Sequence, residues 1–514
     1  MAGADSERAP LRAELAELRA LNAELRRANL MLEEQVAALR EGEALRGEQH
    51  VLLRQQVRLL EEENTRLTER VAELERRLGQ NPRNSSKPPS SEGYAKPAPR
   101  SRRSRSGRRP GGQPGSTGTT LSQVRDPDEV VCHRPRRCGG CGRSLRRARV
   151  TSTETRQVAD LPEIALRWVE HRIEHRLCRC GTTTMAGTED GVPAGAKAPA
   201  QYGPGVRAVA TYLVAGHHLP LERAAGVLGD LLAAPVSPGS VASWVGAAGE
   251  GLAPFTAAVR RILTAAEVVN FDETGLRVDG ALAWVHSAST PSATLYTCHA
   301  RRGRQAMDAA GVLPDFAGIA VHDCWKPYWC YPEVEHALCN AHVVRELTGV
   351  WDATGQTWAG KLARVLEQMN TAVSAAKDAG RATLQPAVLA GWHARYDTLC
   401  AQGRASNPAP EGGWRAKRPV AVNLLDRLED HREEFLRFSV DFRVPFTNNA
   451  AEQDIRPVKL RQKVSGCLRT MAGAQTFCAL RSYLSTARKQ GANALAILRQ
   501  LHEGQPWLPD PGTC

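Results

Sequence analysis

The first 80 residues carry leucines at heptad spacing. These are Leu11, Leu18, Leu25, Leu32 and Leu39, followed in the same register by Leu53, Leu60, Leu67 and Leu74. The repeat predicts a coiled coil over residues 1–80 that dimerises the chain. Asn22, Asn29 and Asn64 fall on the contact line of the heptads, where buried asparagine favours a parallel dimer in one register. A long solvated helix is the alternative.

Residues 81–122 change the pattern to proline, serine, glycine and arginine. Such a composition cannot bury enough apolar surface to fold alone, so the segment is predicted to be a basic linker. Its arginines are expected to contact DNA phosphates, although a solvated linker without contacts fits equally well. The arginines concerned are Arg102, Arg103, Arg105, Arg108 and Arg109.

Two close cysteine pairs follow within residues 123–185. They are Cys138-x-x-Cys141 and Cys178-x-Cys180, each with a glycine directly after it. Thiolates suit Zn²⁺, and a glycine after the second cysteine permits a tight turn beneath the metal. The spacing therefore predicts a small zinc-binding domain with a structural Zn²⁺. Four incidental cysteines are the alternative.

Residues 186–262 read as helices with a break at 235–239. This order predicts a helix-turn-helix-like region, and two packed helices without a role in DNA binding are equally compatible. From 263 to 345 short strand patterns begin at 267, 283, 294 and 318, with a helix expected over 305–312. Helical patterns return over 346–440, and the last helical stretch is expected to break at Pro457.

Three carboxylates stand out in the second half of the chain. Asp272 and Asp323 each end a strand pattern, and Glu452 opens a helix after a turn. Carboxylate oxygens are the ligands that Mg²⁺ prefers, and three of them around two ions form the apparatus of two-metal phosphoryl transfer. Alternatively, the two aspartates cap turns after their strands and Glu452 caps the start of its helix, without a catalytic role. Other carboxylates are equally available, namely Glu273, Asp279, Asp315 and Asp454.

Composition narrows the choice of partner and compartment. The 514 residues are too many for one core, 42% of them are hydrophobic, and the formal net charge is +13. A positive chain favours a polyanionic partner such as DNA. No long apolar run or signal peptide is apparent, so we expect a cytoplasmic protein without a membrane partner. Its 13 cysteines should then not form disulfides.

Eight strings in one order resemble the IS66 family of bacterial insertion-sequence transposases, and the resemblance runs from about residue 9 to 500. The strings are NSSKPPSS, RRPGGQPGSTGTTL, YGPGVRA, LPLERAAGVL, FDETGLRVDG, HDCWKPY, CNAHVVREL and NNAAEQDIRPVKL. The family is similar to the DDE superfamily of transposases, which have an RNase H-like core. Carried over motif by motif, its triad falls on Asp272, Asp323 and Glu452.

The patterns and the resemblance together give an α+β multidomain protein. It would have an N-terminal coiled coil, a zinc-knuckle domain, a helical DNA-binding region and an RNase H-like α/β catalytic core. The resemblance implies that this core comprises 263–345 and 441–514, with 346–440 as a helical insertion. It also implies Mg²⁺ or Mn²⁺, two ions, for cleavage at the terminal inverted repeats of the element and strand transfer into target DNA.

Several further expectations concern partners. We expect a homodimer or higher oligomer in the bacterial nucleoid, and small accessory proteins of the same element are further candidate partners. Exposed cations should follow the backbone of bound DNA, namely Lys326, Arg456, Lys459, Arg461 and Lys463. Cys339-x-x-His342 could form a second metal pair or simply pack. Two other functions compete: a regulator derived from a transposase that has lost catalysis, and an RNase H-like nuclease without strand transfer.

Overall fold

The structure is a computed structural model, which describes residues 3–41, 47–80, 121–161, 164–193, 195–408 and 418–513. The linker predicted at 81–122 lies almost entirely outside these ranges. The same holds for the arginines expected to contact DNA there, namely Arg102, Arg103, Arg105, Arg108 and Arg109. Among the helices in the described ranges, none is long and apolar enough to cross a membrane.

Two long helices, α1 (Gly3–Glu41) and α2 (Gly47–Gly79), pack against each other within one chain. The five residues between them can span at most about 20 Å. Because α2 alone is roughly 50 Å long, contacts along both helices require an antiparallel hairpin.

Heptad positions line the contact between the two helices of this hairpin. Buried among them are Leu15, Val36, Leu67 and Leu74. Asn22 is also buried, and its Nδ2 donates to Thr68 Oγ1 at 3.0 Å. Arg70 of α2 pairs with Glu14 of α1 at 2.6 Å. The heptad contact line is thus used inside a single chain, and dimerisation through the same residues stays a prediction.

Residues 121–201 contain little regular structure. Strands β1 (His175–Leu177) and β2 (Thr183–Met185) form a two-stranded antiparallel sheet. None of the described residues in this stretch is buried, and apolar side chains such as Val158 and Trp168 are about four-fifths exposed or more. The segment therefore has no hydrophobic core of its own in the part of it that the structure describes.

Four helices precede the main sheet. They are α3 (Pro204–Thr211), which continues as a π-helical turn (Tyr212–Gly216), α4 (Leu221–Leu232), α5 (Pro238–Glu250) and α6 (Ala253–Ala265). The predicted break is present, and Ser237 caps α5 by accepting from the Ser240 N–H at 3.0 Å. Helix α5 carries no lysine or arginine. A DNA-reading role for the predicted helix-turn-helix-like region stays a prediction.

A five-stranded mixed sheet forms the centre of the second half. Its strands are β3 (Val268–Val278), β4 (Ala281–Ser289), β5 (Thr294–His299), β6 (Ile319–His322) and β7 (Glu335–Leu338). Their order is β5-β4-β3-β6-β7. β4 is antiparallel to both of its neighbours, β3 and β5. β3, β6 and β7 run parallel to one another. Helix α7 (Arg304–Ala310) joins β5 to β6, close to the predicted helix at 305–312.

The remaining chain is helical. Helices α8 (Asn340–Thr354), α9 (Thr357–Asp378), α10 (Pro386–Ser406), α11 (Val420–Asp430) and α12 (Arg432–Val440) follow the sheet, and then come α13 (Asn449–Ser465), α14 (Met471–Lys489) and α15 (Ala494–His502). The predicted break at Pro457 is wrong, because α13 runs through this residue. Ile455 and Val458 are buried against β3 and β4, and this packing offsets the hydrogen bond that proline removes.

The sheet is covered on both faces, as the alternation along β6 shows. Ile319 and Val321 belong to a core shared with α8–α12, whereas Ala320 faces a core built from α5, α6, α14 and α15. The helices α5, α6 and α15, with the second half of α14, therefore pack on one face. The helices α8–α12 pack on the other face, and α13 packs on this second face through Ile455 and Val458, which contact Leu276 and Val278.

Candidate active site

Asp272 and Asp323 lie level with each other on neighbouring strands. The parallel register of β3 and β6 pairs Asn270 with Val321, and both aspartates come two residues later. Because side chains alternate along a strand, both carboxylates project from the sheet face that carries Val321. Asp272 does not end its strand, however, since β3 continues to Val278 while pairing with β4.

Glu452 lies in the first turn of α13, which is held to β3 by the residue before the helix. Asn448 is 2% exposed and makes three hydrogen bonds to residues outside α13. Its Nδ2 donates to Phe271 O at 2.6 Å, and its Oδ1 accepts from Asn270 Nδ2 at 2.8 Å. Its backbone N–H donates to Cys339 Sγ at 3.1 Å. These bonds anchor the start of α13 beside the strand that carries Asp272.

The carboxylates influence one another electrostatically. Burial and the charge of Glu273, with smaller effects of Asp323 and Glu452, raise the pKa of Asp272 well above its usual value. Burial, Glu273 and Glu452 likewise raise the pKa of Asp323 to about 7, although Arg302 opposes the shift. Asp272 and Asp323 therefore share an environment that resists negative charge, to which the charge of Glu452 contributes.

Two oxygens of this group lack a hydrogen-bond partner. Asp323 Oδ1 and Glu452 Oε1 are both buried without one. Two basic side chains lie within 4.0 Å of Glu452 Oε1: Arg345, whose Nη2 is at 3.7 Å, and His342, whose Nε2 is at 4.0 Å. Buried charge without a partner is costly, and a divalent cation would supply the missing partner. The donor set therefore fits a hard metal ion.

The spacing of the triad bears on how many ions it suits. Within the described ranges, Asp272, Asp323 and Glu452 do not form a group whose ligand atoms all lie within 4.8 Å of one another. One ion bound by all three carboxylates requires such a group. Two ions about 3.5–4 Å apart can be held by carboxylates whose oxygens lie farther from one another.

Glu273 follows Asp272 but serves a different purpose. Alternation along β3 turns it to the opposite face, and its side chain is only 1% exposed. Its Oε1 accepts from Arg302 Nε at 3.1 Å and from Arg302 Nη2 at 2.5 Å, and its Oε2 accepts from the Tyr328 hydroxyl at 2.8 Å. The Arg302 guanidinium also lies 3.9 Å from the ring centre of Trp325. Both oxygens of Glu273 are thus committed to protein partners.

Residues that flank Asp323 differ in their access to DNA. His322 is fully buried, hydrogen-bonded to His336 at 2.9 Å and stacked on Tyr328, whose ring is also buried. Neither His322 nor Tyr328 can contact a ligand at the surface, so both support the backbone around Asp323. Lys326 is exposed, as its predicted role in DNA contact requires.

Glu452 also lies close to a cysteine and a histidine, so that a sulfur, an imidazole nitrogen and a carboxylate oxygen form a second group of possible metal ligands. One ligand atom each from Cys339, His342 and Glu452 lies within 4.8 Å of the other two. Burial raises the pKa of the Cys339 thiol to about 11. Burial, followed by the charge of Arg345, lowers the pKa of His342 to about 4. The Cys-x-x-His pair is therefore joined by a residue more than a hundred positions away.

The cations after Glu452 divide into two sets. Arg456 and Lys463 are exposed, as contact with DNA phosphates requires. Lys459 Nζ instead donates to Gly275 O at 3.0 Å, and Arg461 Nη1 donates to Gly466 O at 2.9 Å. The last two side chains are partly buried and already help to hold α13 to its surroundings, so their contact with DNA stays a prediction.

The two cysteine pairs form similar tight turns. The N–H of Gly142 donates to Cys138 O and the N–H of Gly181 donates to Cys178 O, both at 2.9 Å. These glycines have φ of +72° and +88°, a region that glycine adopts without strain, so the predicted glycine turns are confirmed. Within the described ranges, the two cysteines of each pair lie side by side, but the two pairs do not form one group of ligand atoms within 4.8 Å of one another. Hydrogen bonds from Thr182 lower the pKa of Cys180 to about 7.

Sequence reasoning missed two residues that organise the site. Asn448 was overlooked, although a polar pair directly before a helix is a common sign of an anchored helix start. Arg302 was overlooked as well, because nothing in its local sequence shows that it reaches Glu273, 29 residues earlier. Only the turn chemistry before α13 could have revealed the first, and no local signal reveals the second.

Comparison with protein families places this chain among the transposases. The family model described as Transposase IS66 family matches residues 199–476, more than half of the chain, and this range contains Asp272, Asp323 and Glu452. The chain belongs to the IS66 family, which confirms the resemblance drawn from its motifs. A model described as Family of unknown function (DUF6444) matches residues 7–122. No curated protein matches the chain.

Proposed function

We propose that this protein binds the terminal inverted repeats of an insertion sequence and catalyses metal-dependent DNA strand cleavage and strand transfer. The observation that carries the proposal is the meeting of Asp272, Asp323 and Glu452, from two parallel strands and a helix. The raised pKa of Asp272 and Asp323, and the unpartnered oxygens of Asp323 and Glu452, suit a site for cations. Membership of the IS66 transposase family supports DNA as the substrate.

The core that carries these residues is proposed to be RNase H-like. The strand order, with three antiparallel strands followed by two strands parallel to the first, supports this assignment. Helices α8–α12 would be an insertion between β7 and α13. They pack on the sheet face toward which Asp272 and Asp323 project, and this position suits an element that shapes the DNA-binding cleft.

Asp272, Asp323 and Glu452 would hold two Mg²⁺ or Mn²⁺ ions. When bound, such ions activate a water or a DNA 3′-hydroxyl and stabilise the leaving oxygen. The three carboxylates act as ligands. Burial raises the pKa of Asp272 and of Asp323, so a cation bound beside these two carboxylates would favour their ionised form. Asn448 holds the start of α13 in position, while the pair of Glu273 and Arg302 braces β3 from the other face.

DNA binding is proposed to involve the segments before the core. The net charge of +13 favours a polyanion, and exposed Lys326, Arg456 and Lys463 lie on the segments that carry Asp323 and Glu452. The α1–α2 hairpin is proposed to dimerise so that two transposon ends are handled together. Target DNA and small accessory proteins of the same element remain proposed partners.

A structural Zn²⁺ between the two cysteine turns is proposed for residues 123–185. This region buries none of its described residues, and small domains without a core generally need a metal or a disulfide. Replacing Cys138 and Cys141 together with serine is expected to remove one Zn²⁺ per chain and to weaken end binding. Metal analysis and a DNA-binding titration measure both effects. An unchanged zinc content would refute the assignment, and Cys132→Ser is the matched control.

The central test is strand cleavage of a DNA fragment that bears the element's own ends, with Mg²⁺ or Mn²⁺. Wild type is expected to cut, and Asp272→Asn is expected to lose at least about a thousandfold in rate, because it removes a metal ligand. Joined products would distinguish a transposase from an RNase H-like nuclease.

Binding of the same DNA provides the control. Asp272→Asn is expected to bind the ends as wild type does, since the substitution preserves shape and removes only charge. End binding by wild type without any cleavage, even with accessory proteins added, would favour a catalytically inactive regulator instead. Equal cleavage by both proteins would exclude Asp272 from the metal site.

A further inference from the structure

We propose that Cys339, His342 and Glu452 form a second metal site, selective for a soft divalent cation such as Zn²⁺. Its occupation would take Glu452 away from the Mg²⁺ pair. The inference rests on the proposed function for its effect on cleavage, but not for the binding of the ion. The three ligand atoms lie within 4.8 Å of one another.

The local fold explains why these ligands meet. Cys339 immediately precedes α8, and His342 lies in the first turn of that helix, so their spacing places both side chains near the same helix end. Glu452 comes from the first turn of α13. Because Asn448, at the start of α13, donates its backbone N–H to Cys339 Sγ at 3.1 Å, the two helix ends are joined directly.

The donor set determines the kind of ion. Mg²⁺ prefers oxygen ligands, whereas a sulfur and an imidazole nitrogen favour Zn²⁺ or Co²⁺. Three protein ligands leave the fourth tetrahedral position for water, as in zinc sites that are not purely structural. On binding, the Cys339 thiol loses its proton to solvent and forms the metal–sulfur bond.

Ordinary packing leaves this group incompletely satisfied. His342 Nδ1 and Glu452 Oε1 are both buried without a hydrogen-bond partner. In a well-packed interior such atoms are nearly always bonded. The hydrogen bond from Asn448 is of the kind that orients a metal-bound sulfur from the second coordination shell. A bound cation would give Glu452 Oε1 a partner and would take one ring nitrogen of His342 as a ligand.

The consequence concerns regulation of the same site. Glu452 is a proposed ligand of the Mg²⁺ pair, and an ion on Cys339 and His342 would draw its carboxylate to the other side. Zn²⁺ is therefore expected to inhibit Mg²⁺-dependent cleavage. Addition of a chelator selective for Zn²⁺ is expected to restore it.

Ion binding by the full-length protein tests the site directly. Co²⁺ is titrated into metal-free protein, and the thiolate-to-Co²⁺ absorption band and the number of bound ions are recorded. His342→Ala and Cys339→Ala are each expected to bind one ion fewer than wild type. Cys400→Ala, which alters a buried cysteine in α10, is the matched control and should bind as many ions as wild type. Ions on the cysteine turns count equally in all four proteins.

The substitutions are chosen so that each outcome decides the question. His342 is about a quarter exposed, so His342→Ala is expected to fold even if Cys339→Ala does not. An ion count for folded His342→Ala equal to that of wild type would overturn the proposal. Asp272→Asn should keep the soft ion while losing cleavage. Full cleavage by that variant would refute the proposed function whatever the ion count shows.

Discussion

Asp323→Asn is expected to stabilise the metal-free protein above pH 7 while abolishing its cleavage of DNA. Burial raises the pKa of the Asp323 carboxyl to about 7, compared with about 3.9 in an unfolded chain. Below about pH 4 the group is protonated in both states, so the substitution should change little. As pH rises from 4 to 7 only the unfolded chain ionises, and the folded state of wild type loses stability.

The size of this effect follows from the shift. Three pKa units correspond to a gain for Asp323→Asn on the order of 4 kcal/mol above pH 7. Denaturant unfolding at pH 5 and pH 8, in the presence of a chelator, measures it. Asp323 Oδ1 has no hydrogen-bond partner that the substitution would remove. Asp315→Asn, at an exposed position, is the control and should be neutral at both pH values.

Added Mg²⁺ should reverse the order of stability. A ligand that binds only the folded state stabilises it in proportion to the logarithm of its concentration above Kd. Wild type should therefore gain stability with Mg²⁺, and Asp323→Asn should gain little or none. If Asp323→Asn were less stable than wild type at pH 8 without metal, the carboxylate would have a structural role and the metal assignment would lose its support.

The positions of Asp272 and Asp323 could be predicted from sequence because each directly follows a short apolar stretch that forms part of a strand. Strand β7 (Glu335–Leu338) could not be predicted, because its sequence is too short and too polar at its start to show a strand pattern. The length of β3 was missed too. Asp279-Gly280, both with positive φ, form the turn to β4, and this pair is a strong hairpin signal in the printed sequence.

Contacts over long sequence distances explain the other gaps. Glu452 reaches Asp272 only because about a hundred residues of helix fold back onto the sheet, and no local pattern specifies that return. The same distance concealed the meeting of His342 with Glu452. Pro457 shows the opposite error, since its local preference predicted a break that burial of Ile455 and Val458 overrides.

Glu273→Ala is expected to destabilise the protein without removing a metal ligand. Two partners lose their acceptor: the Arg302 guanidinium, which lies between Trp284 and Trp325, and the buried Tyr328 hydroxyl. Breaking a fully buried pair costs about 3–5 kcal/mol. The buried Tyr328 hydroxyl then has no acceptor, and the Arg302 guanidinium, whose side chain is about a third exposed, keeps only partial hydration, so the expected loss lies at the lower end of this range. Asp397→Ala breaks an exposed pair with Arg432 and should cost no more than about 1 kcal/mol.

Cleavage per folded molecule of Glu273→Ala shows whether Glu273 stabilises the fold or binds a metal ion. Glu273 projects from the face of β3 opposite to Asp272, and both its oxygens already have protein partners, so it has none to offer a cation. Cleavage per folded molecule, measured at low temperature, should therefore stay within about tenfold of wild type, whereas Asp272→Asn loses it. A stably folded Glu273→Ala without cleavage would instead make Glu273 a fourth metal ligand. In that case its contact with Arg302 would have to open before the ions bind.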